Sequence, residues 1–272
     1  MKIARLSLQQ GPRFALVDSA TGDFLVLRDD PIFGSIDMTG QRVEAHDADL
    51  VSPMIPRSKV FGFLGTYTAS ASAPDSQISG ARNPESVTNP VTLTTPQSLD
   101  NMGVFFKPNT SVIGPNEPIM KPAWATGIAH APELAVVIGR AAKSISPARA
   151  KDVIFGYVAA DNVYATGTDV VRAHSFDTST VIGPWIETDL ENVSHLAVRS
   201  WVDGAPRIVG NTADLLLTVQ DLIAYASKIS TLLPGDIILT GTPLGDGAIN
   251  VGQRVRVEVE GIGSFDNPVI DE

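Results

Sequence analysis

The sequence predicts an α+β fold rich in strands, with a small N-terminal β domain at residues 1–55 and a larger domain at residues 56–272 built around a curled mixed sheet. Three observations carry that reading. Short apolar runs of strand length outnumber helical patterns, and the two kinds alternate irregularly. Glu133-Leu134-Ala135-Val136-Val137-Ile138 is a nearly continuous apolar run, as expected of a strand covered on both faces.

Taken in order, residues 2–7, 13–18 and 24–28 have strand character and are separated by Gln9-Gln10-Gly11-Pro12 and Thr21-Gly22-Asp23, the pattern of a small β-meander. Polar sequence follows to Asp49. Val60-Phe61-Gly62-Phe63-Leu64 then reads as the first buried strand of the larger domain. Residues 68–101 are dominated by Ala, Ser, Thr, Pro, Asn and Asp without helical or strand period, so they read as a long loop, either a lid or a plain insertion. Residues 105–119 suggest two short strands around Ile113-Gly114-Pro115. Ser146-Pro147 suggests the start of a short helix, with Ser at the N-cap and Pro at the first helical position. Residues 153–163 read as a further strand. The best helix covers residues 216–229, where Leu217, Leu222, Ile223 and Ala226 fall mostly on one face and Pro234-Gly235 lies beyond the end. Residues 237–239 and 255–259 are strands, and Gly261-Ile262-Gly263 makes a hairpin turn.

The totals exclude several function classes. At 272 residues the chain can bury a substantial core, and 43% hydrophobic against 18% charged residues fits a globular protein rather than a disordered one. Its formal net charge of −10, from 20 basic and 30 acidic residues, would repel a phosphate backbone or an anionic membrane, so neither nucleic acid nor membrane is an expected partner. There is no cysteine, which removes disulfides, thiolate nucleophiles and thiolate metal sites together. The first residues lack the apolar segment of a secretory signal, and no stretch approaches the roughly 18 apolar residues of a membrane span. A cytoplasmic protein is expected.

Phe106-Lys107-Pro108-Asn109-Thr110-Ser111, the run from Glu133 to Gly139, Phe155-Gly156-Tyr157, Ser175-Phe176-Asp177-Thr178, Gly183-Pro184-Trp185 and the run from Leu233 to Pro243 resemble, in order and spacing, the fumarylacetoacetate hydrolase (FAH) family. The resemblance runs from about residue 1 to the end. It implies an FAH-type mixed β-roll, usually homodimeric, with an active site at the mouth of the roll holding one divalent cation, normally Mg²⁺ or Mn²⁺. It also implies chemistry on small molecules: cleavage of carbon–carbon bonds in β-diketo acids, decarboxylation, or hydration and isomerisation of dienoates. Stabilisation of an enolate is common to them.

Compared with that family, the site positions of this chain have changed. A hard cation needs several oxygen ligands, and the family supplies a Glu-x-Glu pair on one strand and an Asp on a later one. Here the pair reads Ala131-Pro132-Glu133, and the family's Asn-Asp dipeptide is Asp161-Asn162. A shift of one residue turns a side chain to the opposite face, so Asp161 cannot simply replace the missing ligand, and Asn162 offers only a neutral oxygen. No metal is therefore expected, and Mg²⁺ is disfavoured. His174 stands where the family has the lysine that stabilises the enolate, and Ser70 stands where it has a basic histidine, with Tyr67 preserved nearby. Thr240-Gly241-Thr242-Pro243, a substrate-contacting segment in the family, is intact.

Each residue has a bland alternative. Glu133, buried without a cation, should hold its proton more tightly and serve as a general acid, or else be a leftover carboxylate bonded to backbone amides. His174 and His130 are candidate acid–base groups, each able to pair with Glu133, or packed histidines. Tyr164 narrows the cavity and offers a phenol donor, or merely packs. Asp169 and Arg172 orient His174 or form a surface ion pair, while His46 and His195 read as solvated surface. The leading expectation is a metal-independent FAH-like enzyme acting on an enolisable β-dicarbonyl or polyketide-like substrate, as isomerase, cyclase or lyase. The alternatives are a non-catalytic FAH-fold binding protein and a metal-dependent hydrolase or decarboxylase of the family. Glu133, His174 and His130 are the candidate catalytic residues. Tyr67, Ser70, Asn162, Tyr164, Thr240, Gly241 and Thr242 are the candidate substrate-binding residues.

Overall fold

The computed structural model describes residues 1–68, 102–243 and 247–272. Ser70 and the long segment expected as a loop or lid lie outside the described residues, apart from Thr68.

The N-terminal meander forms as expected: β1 (Lys2–Leu6), β2 (Arg13–Val17) and β3 (Phe24–Leu27) are successive antiparallel neighbours. The polar sequence after it carries a further strand that its composition did not signal, β4 (Met38–Val43) on β3, and the short β5 (Leu50–Val51) just beyond it pairs with β1. β4 is almost wholly exposed, so it has no apolar alternation to detect. β1 also pairs with a strand of the larger domain, described below, so the N-terminal strands continue its sheet.

In the larger domain β6 (Val60–Leu64) and β7 (Gly103–Lys107) are antiparallel, followed by the short β8 (Val112–Ile113) and β9 (Ile119–Lys121). Next come β10 (Gly127–His130), β11 (Pro132–Ile138), β12 (Ile154–Asn162) and β13 (Tyr164–Thr166). The turn starting at Ser146-Pro147 is a 3₁₀ helix, Pro147–Val153, and the Ser146 side chain makes no capping bond, contrary to expectation. α1 (Val170–His174) leads to β14 (Thr180–Glu187), β15 (Ala197–Val202) and β16 (Ala205–Asn211). α2 (Val219–Ile229) starts three residues later than its pattern suggests, because Thr218 and Asp221 form a capping box. β17 (Ile237–Leu239), β18 (Gly247–Ile249), β19 (Arg254–Val259) and β20 (Gly263–Asp271) complete the chain.

Among the described residues the strands make a twelve-stranded sheet in the order β4-β3-β2-β1-β14-β12-β11-β17-β6-β7, with β5 on β1 and β8 on β14. A five-stranded sheet (β16-β15-β19-β20-β9) and a three-stranded one (β13-β10-β18) complete it. β11 occupies the middle of the large sheet, and every one of its residues is buried. Its side chains alternate between two cores: Leu134, Val136 and Ile138 pack with Val198, Val257 and Val259 of the five-stranded sheet, whereas Ala135 and Val137 join Val60, Phe105, Ala160 and Leu239. The alternation places Glu133 on the second face. No helix among the described residues is long and apolar enough to cross a membrane.

Candidate active site around Glu133

β11 and β12 are antiparallel, with Glu133 opposite Ala160 and Pro132 opposite Asp161. Asn162, two residues on from Ala160, therefore shares Glu133's face, and its Nδ2 donates to Glu133 Oε1 at 2.9 Å. The other carboxylate oxygen accepts from Gly241 N at 2.5 Å. Gly241 can turn its amide inward because its φ is +94°, and a Cβ there would overlap the Thr66 hydroxyl. Thr66 is held in turn by the bond from its Oγ1 to Thr240 O, at 2.6 Å. Thr240 itself is tied to β11, its Oγ1 donating to Leu134 O at 2.8 Å, so it braces the segment and its hydroxyl is already engaged.

Asp161 points to the opposite face, as the one-residue shift requires. There it accepts from Ala131 N at 3.1 Å and lies 3.2 Å from His130 Nδ1. Glu133 thus makes neither of the histidine pairs expected from the sequence. His130 is bonded to Asp161, and His174 has no hydrogen bond at its buried Nδ1. Instead the His174 ring stacks on Phe105, with centroids 3.8 Å apart and planes 14° from parallel, and is tilted against half-buried Tyr164 at 5.6 Å. Asp169 caps α1 by accepting from Val171 N and Arg172 N, and its contact with Arg172 at 3.5 Å is an exposed ion pair.

One residue that sequence reasoning used only as part of a motif belongs here. Lys107 is 1% exposed, and its Nζ donates to Val163 O at 2.7 Å and to Ser179 O at 2.5 Å. An apolar alternation on β7 would be the only sequence signal for its burial, and a lysine does not announce itself that way.

Electrostatics follow from burial. Removal from water pushes the Glu133 carboxyl up to about 7, although the bonds from Asn162 and Gly241 and the charge of Lys107 oppose the rise. Burial pushes the Lys107 ammonium down to about 7, against the pull of Glu133 and Asp161. Burial, with a contribution from Lys107, lowers His174 to about 3, which leaves its imidazole neutral at ordinary pH. The Tyr67 phenol is raised, chiefly by burial. Tyr67 Oη, Asn162 Oδ1, Thr242 Oγ1 and His174 Nδ1 are buried polar atoms without a hydrogen-bond partner among the described residues, the condition in which a ligand's polar groups gain most.

The described residues do not make a donor set for a hard dication. Glu133 is the single carboxylate that β11 carries, both of its oxygens accept hydrogen bonds among the described residues, and Asn162 turns its NH₂ group toward it. No three His, Asp or Glu side chains among the described residues stand where they could share an ion.

Comparison with known proteins supplies the context. Residues 78–270 match the family described as fumarylacetoacetate (FAA) hydrolase C-terminal, and residues 1–53 match one described as Rv2993c-like, N-terminal. Protein Rv2993c of Mycobacterium tuberculosis is 35% identical over 281 residues, covering 99% of this chain and 98% of the relative. A solved 5-carboxymethyl-2-hydroxymuconate delta-isomerase from Mycobacterium smegmatis superposes with a TM-score of 0.83 at 34% identity over the whole of both chains. A maleylpyruvate hydrolase from Sphingobium sp. SYK-6, solved with manganese(II) and pyruvate, gives 0.77 at 26% identity over 100% of this chain and 99% of that one.

Proposed function

Because the chain belongs to the fumarylacetoacetate hydrolase family, we propose that it is an enzyme of that family that works without a metal ion on a small enolisable β-dicarbonyl substrate. Glu133 is the proton-transfer group. In its ionised form, present in a substantial share at neutral pH, the carboxylate takes a proton from the carbon between two carbonyls and, now protonated, returns it to another atom of the resulting enolate, so no group leaves and no oxidant is needed. The hydroxyls of Tyr67 and Thr242 would donate to the enolate oxygen and Asn162 Oδ1 would accept from an enol, all three being buried polar atoms without a partner among the described residues. His174, neutral and stacked on Phe105, adds no charge to the site. An isomerase among the structural relatives is consistent with chemistry made of proton transfers.

The observation that carries this reading is the Glu133 carboxyl itself: buried, pushed up to about 7, and bonded to Asn162, whose own Oδ1 lacks a partner among the described residues. The test is deuterium exchange at the central carbon of a panel of β-diketones and acylated keto acids, followed by NMR in D₂O. Wild-type protein stripped with EDTA should accelerate exchange, and Glu133→Gln should lose about 100-fold or more of the acceleration. Activity that vanishes with EDTA and returns with Mn²⁺ would refute it.

A further inference from the structure

Lys107 has no part in the proton transfer, yet it is the only lysine or arginine that is buried among the described residues. An ammonium removed from water is strongly destabilising unless it is bonded and opposed by negative charge, so its placement calls for a compensating role. Its geometry supplies one. Ser179 O accepts both from Lys107 Nζ and from Val163 N, the latter at 2.9 Å, while Val163 O takes the second Lys107 bond. Val163 directly follows Asn162, and Ser179 closes the turn that follows His174, to whose carbonyl the Ser179 hydroxyl donates at 3.4 Å. A single side chain from β7 thus ties together the two backbone segments that present Asn162 and His174.

The surrounding charges are mixed. Glu133 on β11 and Asp161 on β12 favour the charged ammonium. His174 on α1 is disfavoured as a cation by it. His130 on β10 is engaged with Asp161, and β6, the hydrogen-bonded neighbour of β7, contributes only Val60, Phe61, Gly62, Phe63 and Leu64.

We propose that Lys107 is a positioning residue for this site: it fixes the backbone that carries Asn162 and His174 and supplies the positive charge that opposes Glu133. Its consequence for turnover rests on the reading of Glu133 given above, but the coupling itself does not.

The experiment is an NMR titration of the full chain labelled with ¹³C at lysine Cε and glutamate Cδ. Lys107→Met should raise the Glu133 midpoint, because an opposing positive charge is removed, and, in a sample also labelled at the histidine ring, should displace the His174 signals. Glu133→Gln should lower the Lys107 midpoint, recognisable as the lysine that titrates far below the exposed ones. This second arm stands even if Lys107→Met fails to fold. Midpoints unchanged by the partner's substitution would overturn the proposal. A coupled pair in a protein that exchanges no substrate proton would sink the enzymatic reading and leave this one intact.

Discussion

At the scale of single residues, the site is governed by the removal of a few ionisable groups from water. His174 gives the cleanest consequence. Its folded-state value near 3 lies below the ordinary 6.5, so above pH 6.5 the imidazole is neutral in folded and unfolded chains alike. As pH falls from 6.5 toward 3, the unfolded chain takes up the proton first and stability is lost. His174→Gln should be less stable at pH 7 for want of the stacked ring. Between pH 7 and pH 5, however, it should lose about 2 kcal/mol less than wild type in urea denaturation. Equal losses would mean the histidine is hydrated and free to ionise. Glu133 acts oppositely, its raised value favouring the folded state at low pH and withdrawing that support as pH rises through about 7, but it is common to both proteins. The sequence made Glu133 and His174 visible because each stands in a motif whose neighbours are preserved. It could not reveal their partners. Those depend on strand register: Asn162 meets Glu133 diagonally across β11 and β12, while Asp161, one residue away, turns to His130.

At the scale of elements, the site depends on backbone held in place by bonds between strand ends. The turn at Gly241 is the critical one, since its amide reaches Glu133 only in the left-handed conformation it adopts. Gly241→Ala should destabilise the protein by at least about 2 kcal/mol, from the positive φ and from overlap with the Thr66 hydroxyl. It should also abolish the substrate-dependent proton exchange. Normal thermal stability of this variant would show that the turn can relax and that its geometry is not required. Elements were legible where a period was present: β11, β12 and the meander follow their apolar patterns closely. They were obscure where it was missing. β4 is held to its neighbour by backbone bonds with its side chains in water, and the start of α2 is set by the Thr218–Asp221 capping box rather than by its apolar face.

At the scale of the whole molecule, the fold is that of the family, while residues at the start of β11 differ from those the family resemblance implies. β11 carries both facts. Its apolar residues join two cores and are read directly from composition, while at its start Ala131 and Glu133 leave one carboxylate where the family resemblance implies two. The pairing of β1 with β14, by contrast, joins residues more than 180 positions apart and has no local signature. The solved maleylpyruvate hydrolase with manganese(II) shares this fold, so the architecture tolerates a dication and the donor set decides whether one binds. The most direct measurement is calorimetric titration of Mn²⁺ into the EDTA-stripped wild-type chain, beside an Ala131→Glu, Asn162→Asp double variant. Wild type should give no saturable heat and the variant, with its carboxylates restored, should bind one ion. Saturable binding of one Mn²⁺ per wild-type chain that disappears in Glu133→Gln would contradict the account.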